Sequence, residues 1–446
     1  MSTKLYRPLA IFFLFSLMFF ARSYRSYFVS DDYAFLGRIT LAGAGQYFTK
    51  SWGYGNEYRP LVAYSYALNA ETSGSNPIGY HLTNILLHSS VAVLVGAIAY
   101  QCGVSPIASG LAAFIFLLNP VSHESFLWIA GRPVIQSALF LFSSLLSFLK
   151  CAESETKKRR CFSSTLAYLT FIAGLFSYEG VVILPLLACA MYFFFPRYRS
   201  KTARIHLIGL SVVGLAYIGL WNWLFRFQIT RFPVETSVLG ASFYLWEAIL
   251  YALHGSRRLL IGSAYLGLLC TLLKSHTRRL GAFCAVWFVV AYLPFLLVKG
   301  FADRFAYVAS AAVAIGLAVG LTELWQRTRL GGAIACSMLV AFYSIGMQNR
   351  ITVWNTAGEI AHTITRDIKA ARPTLPQGTT LVLLRAPDMY KHATVFLTGL
   401  DQAVKLQYPP GAVFWVKRAI DPDLSPPVIT FEYRDGRMRE LPGAHL

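Results

Sequence analysis

Charge is what this sequence has least of. Only 14% of its 446 residues are Asp, Glu, Lys or Arg, 56% are hydrophobic, and the mean hydropathy is +0.50. A soluble domain carries about 25% charged residues, so the composition excludes one and leaves a polytopic membrane protein. Negative charge is scarcer still, 21 Asp and Glu against 40 Lys and Arg, a net +19. That excess does not point to nucleic acid, because the basic residues sit in short loops between apolar runs: Lys157–Arg160, Arg197–Arg204, Lys274–Arg279, and Arg327 with Arg329. With Lys4 and Arg7 inside, every one of these loops falls on the cytoplasmic face, as the positive-inside rule requires. Cysteine is also scarce. All seven lie in expected spanning or cytoplasmic stretches, so the exported regions have no disulfide framework. The first apolar run ends "FFARSYR", without the small-x-small site of a cleavable signal peptide.

A spanning helix needs roughly 20 mainly apolar residues. Segments near 5–22, 80–100, 104–119, 134–150, 162–178, 180–195, 205–225, 258–273, 279–297, 304–325 and 330–347 meet that need approximately. The expected fold is all-α and polytopic, with about eleven spans, the N-terminus inside and the C-terminus outside. Residues 1–347 form the membrane domain; residues 348–446 form a small extracytoplasmic α/β domain. The loop 22–79 is too long for a connector and is dense in tyrosine, which predicts helices lying at the membrane surface, one of them near Tyr33–Leu41. In the tail, Trp354, Ala357, Ile360, Ala361, Ile364 and Ile368 mark a one-sided helix. Strand-like runs follow at "TTLVLL", "AVFWVKR" and "PVITFEYRDGRM", with a helical "ATVFLTGLDQAVKL" between them.

The few polar residues near the apolar runs gather on one side. Asp31 and Asp32 stand side by side just after the first run, where like charges repel and lipid disfavours ionisation. On the same face the topology places Arg59, His81 and His88, the His123–Glu124–Trp128–Arg132 stretch, Glu179, and Asp303 with Arg304 and Tyr307. Ionisable groups at membrane depth are costly and usually face a cavity or a partner. Each alone has a plainer role. The aspartates could end a span, the arginines could snorkel, and the histidines, seven apart without a third ligand, fit packing better than zinc. Six segments converging on one face point to a site.

In order, these segments read "SDDY", "YRPL", "GYHLTNILLH", "NPVSHESFLWIAGR", "SYEGVVILP" and "ADRFAYVAS". The series resembles the signatures of GT-C-fold glycosyltransferases, of the transmembrane-and-tetratricopeptide O-mannosyltransferase-like branch related to protein O-mannosyltransferases. The resemblance covers roughly residues 25–310. Asn119 departs from the family's His before Pro, Tyr178 from its Lys before Glu, and Asp303 from its Glu before Arg. No tetratricopeptide pattern follows the last run.

The resemblance implies an inverting transfer of a sugar from a polyprenyl-phosphate donor to a glycan, lipid or protein acceptor. One carboxylate takes the acceptor's proton; the phosphate leaves as an anion, and arginine suits its growing charge. Carried over residue by residue, Asp31 is the general base and Asp32 its support. Arg59, Arg132, Arg304 and His81 are donor phosphate or sugar contacts; His123, Glu124, Glu179, Asp303 and Tyr307 are second-tier acceptor or supporting groups. If both aspartates ionise, one pKa rises. No cofactor is expected, a divalent metal at Asp31 and Asp32 being the less favoured variant. The compact loops place the protein in a bacterial inner membrane with its site facing the periplasm. Two rival classes are a polysaccharide polymerase or ligase using lipid-linked oligosaccharide, and a lipid-linked sugar flippase. Neither calls for an acidic pair after the first span, and a transporter would show inverted repeats and broken helices at the midplane.

Overall fold

The computed structural model describes residues 3–51, 57–225, 277–296, 302–419 and 427–441. The order begins with α1 (Thr3–Phe19), α2 (Pro60–Ser73), α3 (Pro77–Gln101), α4 (Pro106–Leu118), α5 (His123–Phe126), α6 (Arg132–Glu153) and α7 (Lys157–Leu175). It continues with α8 (Leu184–Phe194), α9 (Lys201–Phe225), α10 (Arg278–Leu296), α11 (Tyr307–Arg327) and α12 (Arg329–Ala371). Helix starts follow local chemistry. Asn76 accepts from the Ile78 N–H ahead of α3, Ser105 from the Ala108 N–H ahead of α4, and each is followed by proline at the first helical position. At the end of α4, Asn119 takes on a capping role of its own. Its side chain accepts from the Val121 N–H at 3.1 Å, and the chain bends by 47° into Pro120–Phe126.

Ten of the eleven expected spanning segments lie among the described residues and each is helical; the 258–273 segment lies outside them. Six described helices are alone long and apolar enough to cross a membrane, seven if the bent pair is one span. The count of eleven is not reached on these grounds. Arg7–Phe19 and Glu179–Phe194 are shorter apolar helices, and α7 opens with the "KKRR" cluster. In the core, α3 packs on α4 and α6, and α11 packs on α4, α10 and α12.

The long first loop meets the expectation of helices in part: α2 is one, but the piece near Tyr33–Leu41 is not. Over Tyr33–Leu41 there is only a 3-10 turn, Ser30–Ala34, and the chain breaks at Gly37, whose φ is +69°. The apolar residues here, Tyr33, Phe35, Leu36 and Ile39, are buried against protein. Tight packing explains the short turn, since Phe35 stacks on Tyr66 at 3.9 Å and a Cβ on Gly37 would meet Leu406 at 2.8 Å.

The expected boundary near residue 348 falls inside a helix. The last span and the one-sided tail helix are one 43-residue element, α12, whose far end docks on a small sheet. The strands are β1 (Thr379–Leu384), β2 (Met389–Tyr390), β3 (Ala393–Thr394), β4 (Val413–Lys417), β5 (Val428–Arg434) and β6 (Arg437–Glu440). The main sheet runs β4-β1-β5-β6, with β1 parallel to β4 and β5, and β5–β6 an antiparallel hairpin. Asp435 and Gly436, both at positive φ, supply the hairpin's Asp-Gly turn. Of the segment expected to be helical before β4, only α13 (Leu400–Lys405) is helix; its first residues form β3 and a connecting loop. Asp367 of α12 ties the sheet on, accepting from Arg437 at 2.8 and 2.9 Å and from the Met438 N–H.

Candidate active site

Around the Trp128–Arg132 turn the expected residues form an inner and an outer shell, with a separate group at His123 and Asp303 and Tyr307 elsewhere. Asp32 is in the inner shell. It is 1% exposed, and its two oxygens accept from the Val29 N–H at 2.9 Å and the Ala130 N–H at 2.8 Å. Asp32 therefore staples the first loop to the turn before α6. Burial pushes its carboxyl up to about 8, further than the two N–H bonds pull it down; the neighbouring Asp31 adds a smaller upward push and Arg132 a downward one. The expected rise in one member of the pair is thus found on Asp32, with burial and not like charge as its main cause.

Arg132 is 0% exposed, and its guanidinium is spent on the protein. It donates to Asn84 Oδ1 at 2.7 Å, to the Ser65 carbonyl and hydroxyl at 3.1 Å each, and to the Tyr80 carbonyl at 3.2 Å, while Tyr66 lies under it at 4.5 Å. The expectation that Arg132 meets the donor phosphate is not matched by this placement, because so buried a group presents no face to a ligand. Asn84 completes the clamp by donating to the Phe126, Trp128 and Ile129 carbonyls. Gly131 must be glycine here, since a Cβ would lie 2.4 Å from the Glu124 carbonyl oxygen. His81 is also internal, its Nε2 on the Ser26 carbonyl at 3.0 Å. Tyr307 lies away from the site, its hydroxyl 2.7 Å from His88 Nδ1 in the helix core.

The outer shell is more open. Asp31 is partly exposed and accepts from the Thr398 hydroxyl of the C-terminal region. Arg304 lies within electrostatic reach of Asp31. Glu124 holds it by accepting from its guanidinium and, at 3.1 Å, from its backbone N–H, and Trp128 flanks it at 5.5 Å. The Arg304 side chain stays 27% exposed. Among the described residues, Arg304 is also the one charged group lining an apolar cleft that includes Val134 and Leu141 of α6, Tyr178, Val181, Phe295 of α10 and Val308 of α11. Arg59 is set apart from this pair. It grips Glu179 bidentately at 2.8 and 3.2 Å over the Tyr178 ring at 4.6 Å. Burial works against its charge, but Glu179 and Glu57 outweigh that and hold it firmly protonated. Glu179, left without a family lysine beside it, thus finds its partner in Arg59, and Tyr178 at the lysine's position supplies the ring beneath.

His123 and Asp303 belong to a third group that sequence reasoning did not assemble. The Trp354 indole N–H donates to His123 Nδ1 at 2.9 Å, so Nε2 carries the proton and donates to Asp303 at 2.6 Å. Arg350 lies 3.9 Å from the same carboxylate, and His392 packs edge-on against His123 at 5.0 Å. Burial, with His123 and Arg350 nearby, pushes His392 down to about 3, which keeps it neutral. Trp354, Arg350, His392 and Thr398 all come from beyond the last span, where no local motif marked them. Among the described residues no three His, Cys, Asp or Glu side chains converge to hold a metal ion.

Solved structures decide the fold. The crystal structure of ArnT from Cupriavidus metallidurans bound to undecaprenyl phosphate superposes with a TM-score of 0.55 over 97% of each chain, at 14% identity. The chain has the GT-C fold. Archaeal oligosaccharyltransferase AglB from Archaeoglobus fulgidus, in complex with an inhibitory peptide and a dolichol-phosphate, has the same fold. It aligns with a TM-score of 0.51 and 13% identity over 83% of this chain and 61% of that one. By sequence this GT-C chain is similar to protein O-mannosyl-transferases. Human TMTC4 is 34% identical over 148 residues, 29% of this chain and 20% of the relative; Xenopus laevis tmtc2 is 27% identical over 194 residues, 43% of this chain and 22% of its own. The chain thus matches about a fifth of the length of these relatives. No family model matches it.

Proposed function

We propose that the protein is an inverting glycosyltransferase that moves a sugar from a polyprenyl-phosphate donor to an acceptor on the extracytoplasmic face, with Asp31 as general base. The observation that carries this reading is the outer shell: a partly exposed carboxylate within electrostatic reach of Arg304, the only charge among the described residues lining an apolar cleft. An isoprenoid phosphate has that same division, an apolar tail and one anionic head. In this reading the tail lies along Val134, Val181 and Phe295, and Arg304 meets the phosphate as the C1–O bond breaks. The acceptor hydroxyl attacks C1 from the opposite face and Asp31 takes its proton. Glu124 aims Arg304, while Asp32 and Arg132 hold the turn on which Glu124 and Trp128 sit. The same reading keeps the N-terminus inside, eleven spans and a bacterial inner membrane with the site facing the periplasm. It keeps the reaction free of metal at Asp31 and Asp32, as the family resemblance implies.

The test uses membranes from cells lacking the native gene, supplied with a panel of radiolabelled polyprenyl-phosphate sugars. Wild type, Asp31→Asn and Arg304→Ala are compared at equal expression. Transfer by wild type that vanishes in Asp31→Asn, with lipid-donor binding kept, supports the assignment. Full transfer by Asp31→Asn removes that aspartate from the chemistry.

A further inference from the structure

The carboxylate assigned as base already carries a hydroxyl, and the protein supplies it. Thr398 lies in the loop between β3 and α13, and its Oγ1 meets Asp31 Oδ1. The direction of every proton follows, because a carboxylate only accepts. Thr398 gives its O–H to Asp31. The Ser30 hydroxyl takes the Thr398 N–H at 3.1 Å and gives its own proton to Thr398 Oγ1 at 2.9 Å. One turn further back, the Ser30 N–H donates to the Val395 carbonyl at 2.8 Å. Ser30 reaches these contacts with φ at +46°, a left-handed conformation that serine rarely adopts. Elsewhere the strap is held from its own side: Arg418 donates to the Phe396 carbonyl and to Asp388, and Gly399 at φ +75° turns the chain into α13.

We propose that Thr398 is a built-in pseudo-acceptor, and that the Val395–Thr398 strap must withdraw from Asp31 before an acceptor hydroxyl can enter. The inference rests on Asp31 being the base. A general base works within about 2.6–3.2 Å of the hydroxyl it deprotonates, and that place is filled. The capture is also more complete than alignment of a carboxylate requires, because Ser30 additionally holds the main-chain N–H of Thr398 and reaches the Val395 carbonyl. The resting state is thereby closed, and acceptor binding competes with an intramolecular hydroxyl. The device joins the first loop of the membrane domain to the C-terminal region.

Two measurements test it on the full chain in membranes. In a Ser30→Cys/Thr398→Cys double variant, oxidation locks the strap; release of label from a radiolabelled polyprenyl-phosphate sugar should then fall at least tenfold and return with dithiothreitol. Equal rates in the locked and reduced forms would overturn the proposal. Independently of any activity, hydrogen exchange across residues 395–400 should speed up about tenfold in Thr398→Val, the loss of one charge-assisted hydrogen bond, and similarly in Asp31→Ala, which leaves the Thr398 hydroxyl no acceptor, with Thr398→Ser like wild type. Unchanged exchange in both variants would also overturn it. Where a transfer assay is in hand, Thr398→Val lowers the acceptor KM without lowering kcat; a fall in kcat instead would make Thr398 a positioning residue and not a gate. Full transfer by Asp31→Asn alongside a strap that still opens would fault the base assignment, which separates the two failures.

Discussion

Asp32 and Arg132 lie one layer beneath Asp31 and Arg304, and the two layers spend the same chemistry differently. In the inner layer the two charged side chains are spent on the protein and sealed from solvent: Asp32 on two N–H groups, Arg132 on Asn84, Ser65 and Tyr80. In the outer layer the side chains meet one another and stay partly exposed, Asp31 with Thr398 and Arg304 with Glu124. Buried polar groups are tolerated when their hydrogen bonds are satisfied, and breaking such a set is expensive. A group that must meet a ligand has to keep capacity in reserve. The lesson is that adjacency in sequence does not give equal roles. Asp31 and Asp32 are neighbours, yet one is partly exposed and the other is buried mortar.

The sharpest way to break this contrast is to delete one arginine from each layer. Arg132→Ala strands Asn84, the Ser65 and Tyr80 carbonyls and the space under Tyr66, so a stability loss of about 3–5 kcal/mol is expected. It would be read as a collapse of folded yield or a large drop in Tm in detergent. Arg304→Ala should leave Tm within a few degrees and instead lower kcat/KM for the lipid donor about 10–100-fold, the scale of a charge-assisted contact. The opposite pattern would exchange the two roles.

That pairing also marks what the sequence could reveal. The described apolar helices were legible because apolar length is a one-dimensional property, and so were the runs that form β1 and β4; the run over β5 and β6 read as strand, but its hairpin turn did not. Of the polar segments, the fold brings Asp32 onto Ala130 and Glu124 onto Arg304, whereas Tyr307 packs on His88 in the helix core. Burial was not legible. Nothing in "GRP" distinguishes Arg132, roofed by Tyr66 and Tyr80, from Arg304 in "DRF", because the roof comes from residues some 50–70 positions away. Trp354 was read as one more apolar position on a helix face, and only the fold puts its N–H on His123. Thr398 sat in a segment expected to be helical, and its partner is 367 residues distant.

A pH titration sharpens the contrast within the aspartate pair. Burial holds the folded-state pKa of Asp32 at about 8, above the ordinary carboxylate range, so the folded form keeps a proton that the unfolded chain releases. The stability tied to this group is fully present below about pH 4 and is lost as pH rises through 8. Thermal unfolding across that window should show the decline in wild type and a flatter profile in Asp32→Asn. A profile unchanged by the substitution would remove Asp32 from the titration. The smallest effect is expected at the rim. Glu179 is 45% exposed, and Glu179→Gln should cost no more than about 1 kcal/mol of stability despite its bidentate geometry with Arg59. A larger loss would move the Arg59–Glu179 pair into the inner layer.

The account's central claim is that Asp31 takes the acceptor's proton, and the direct measurement is transfer by Asp31→Asn at matched folded amount with donor binding followed separately. The expected result is a loss of about 10²–10⁴-fold with donor affinity unchanged and Tm close to wild type. Transfer within a few-fold of wild type would contradict it.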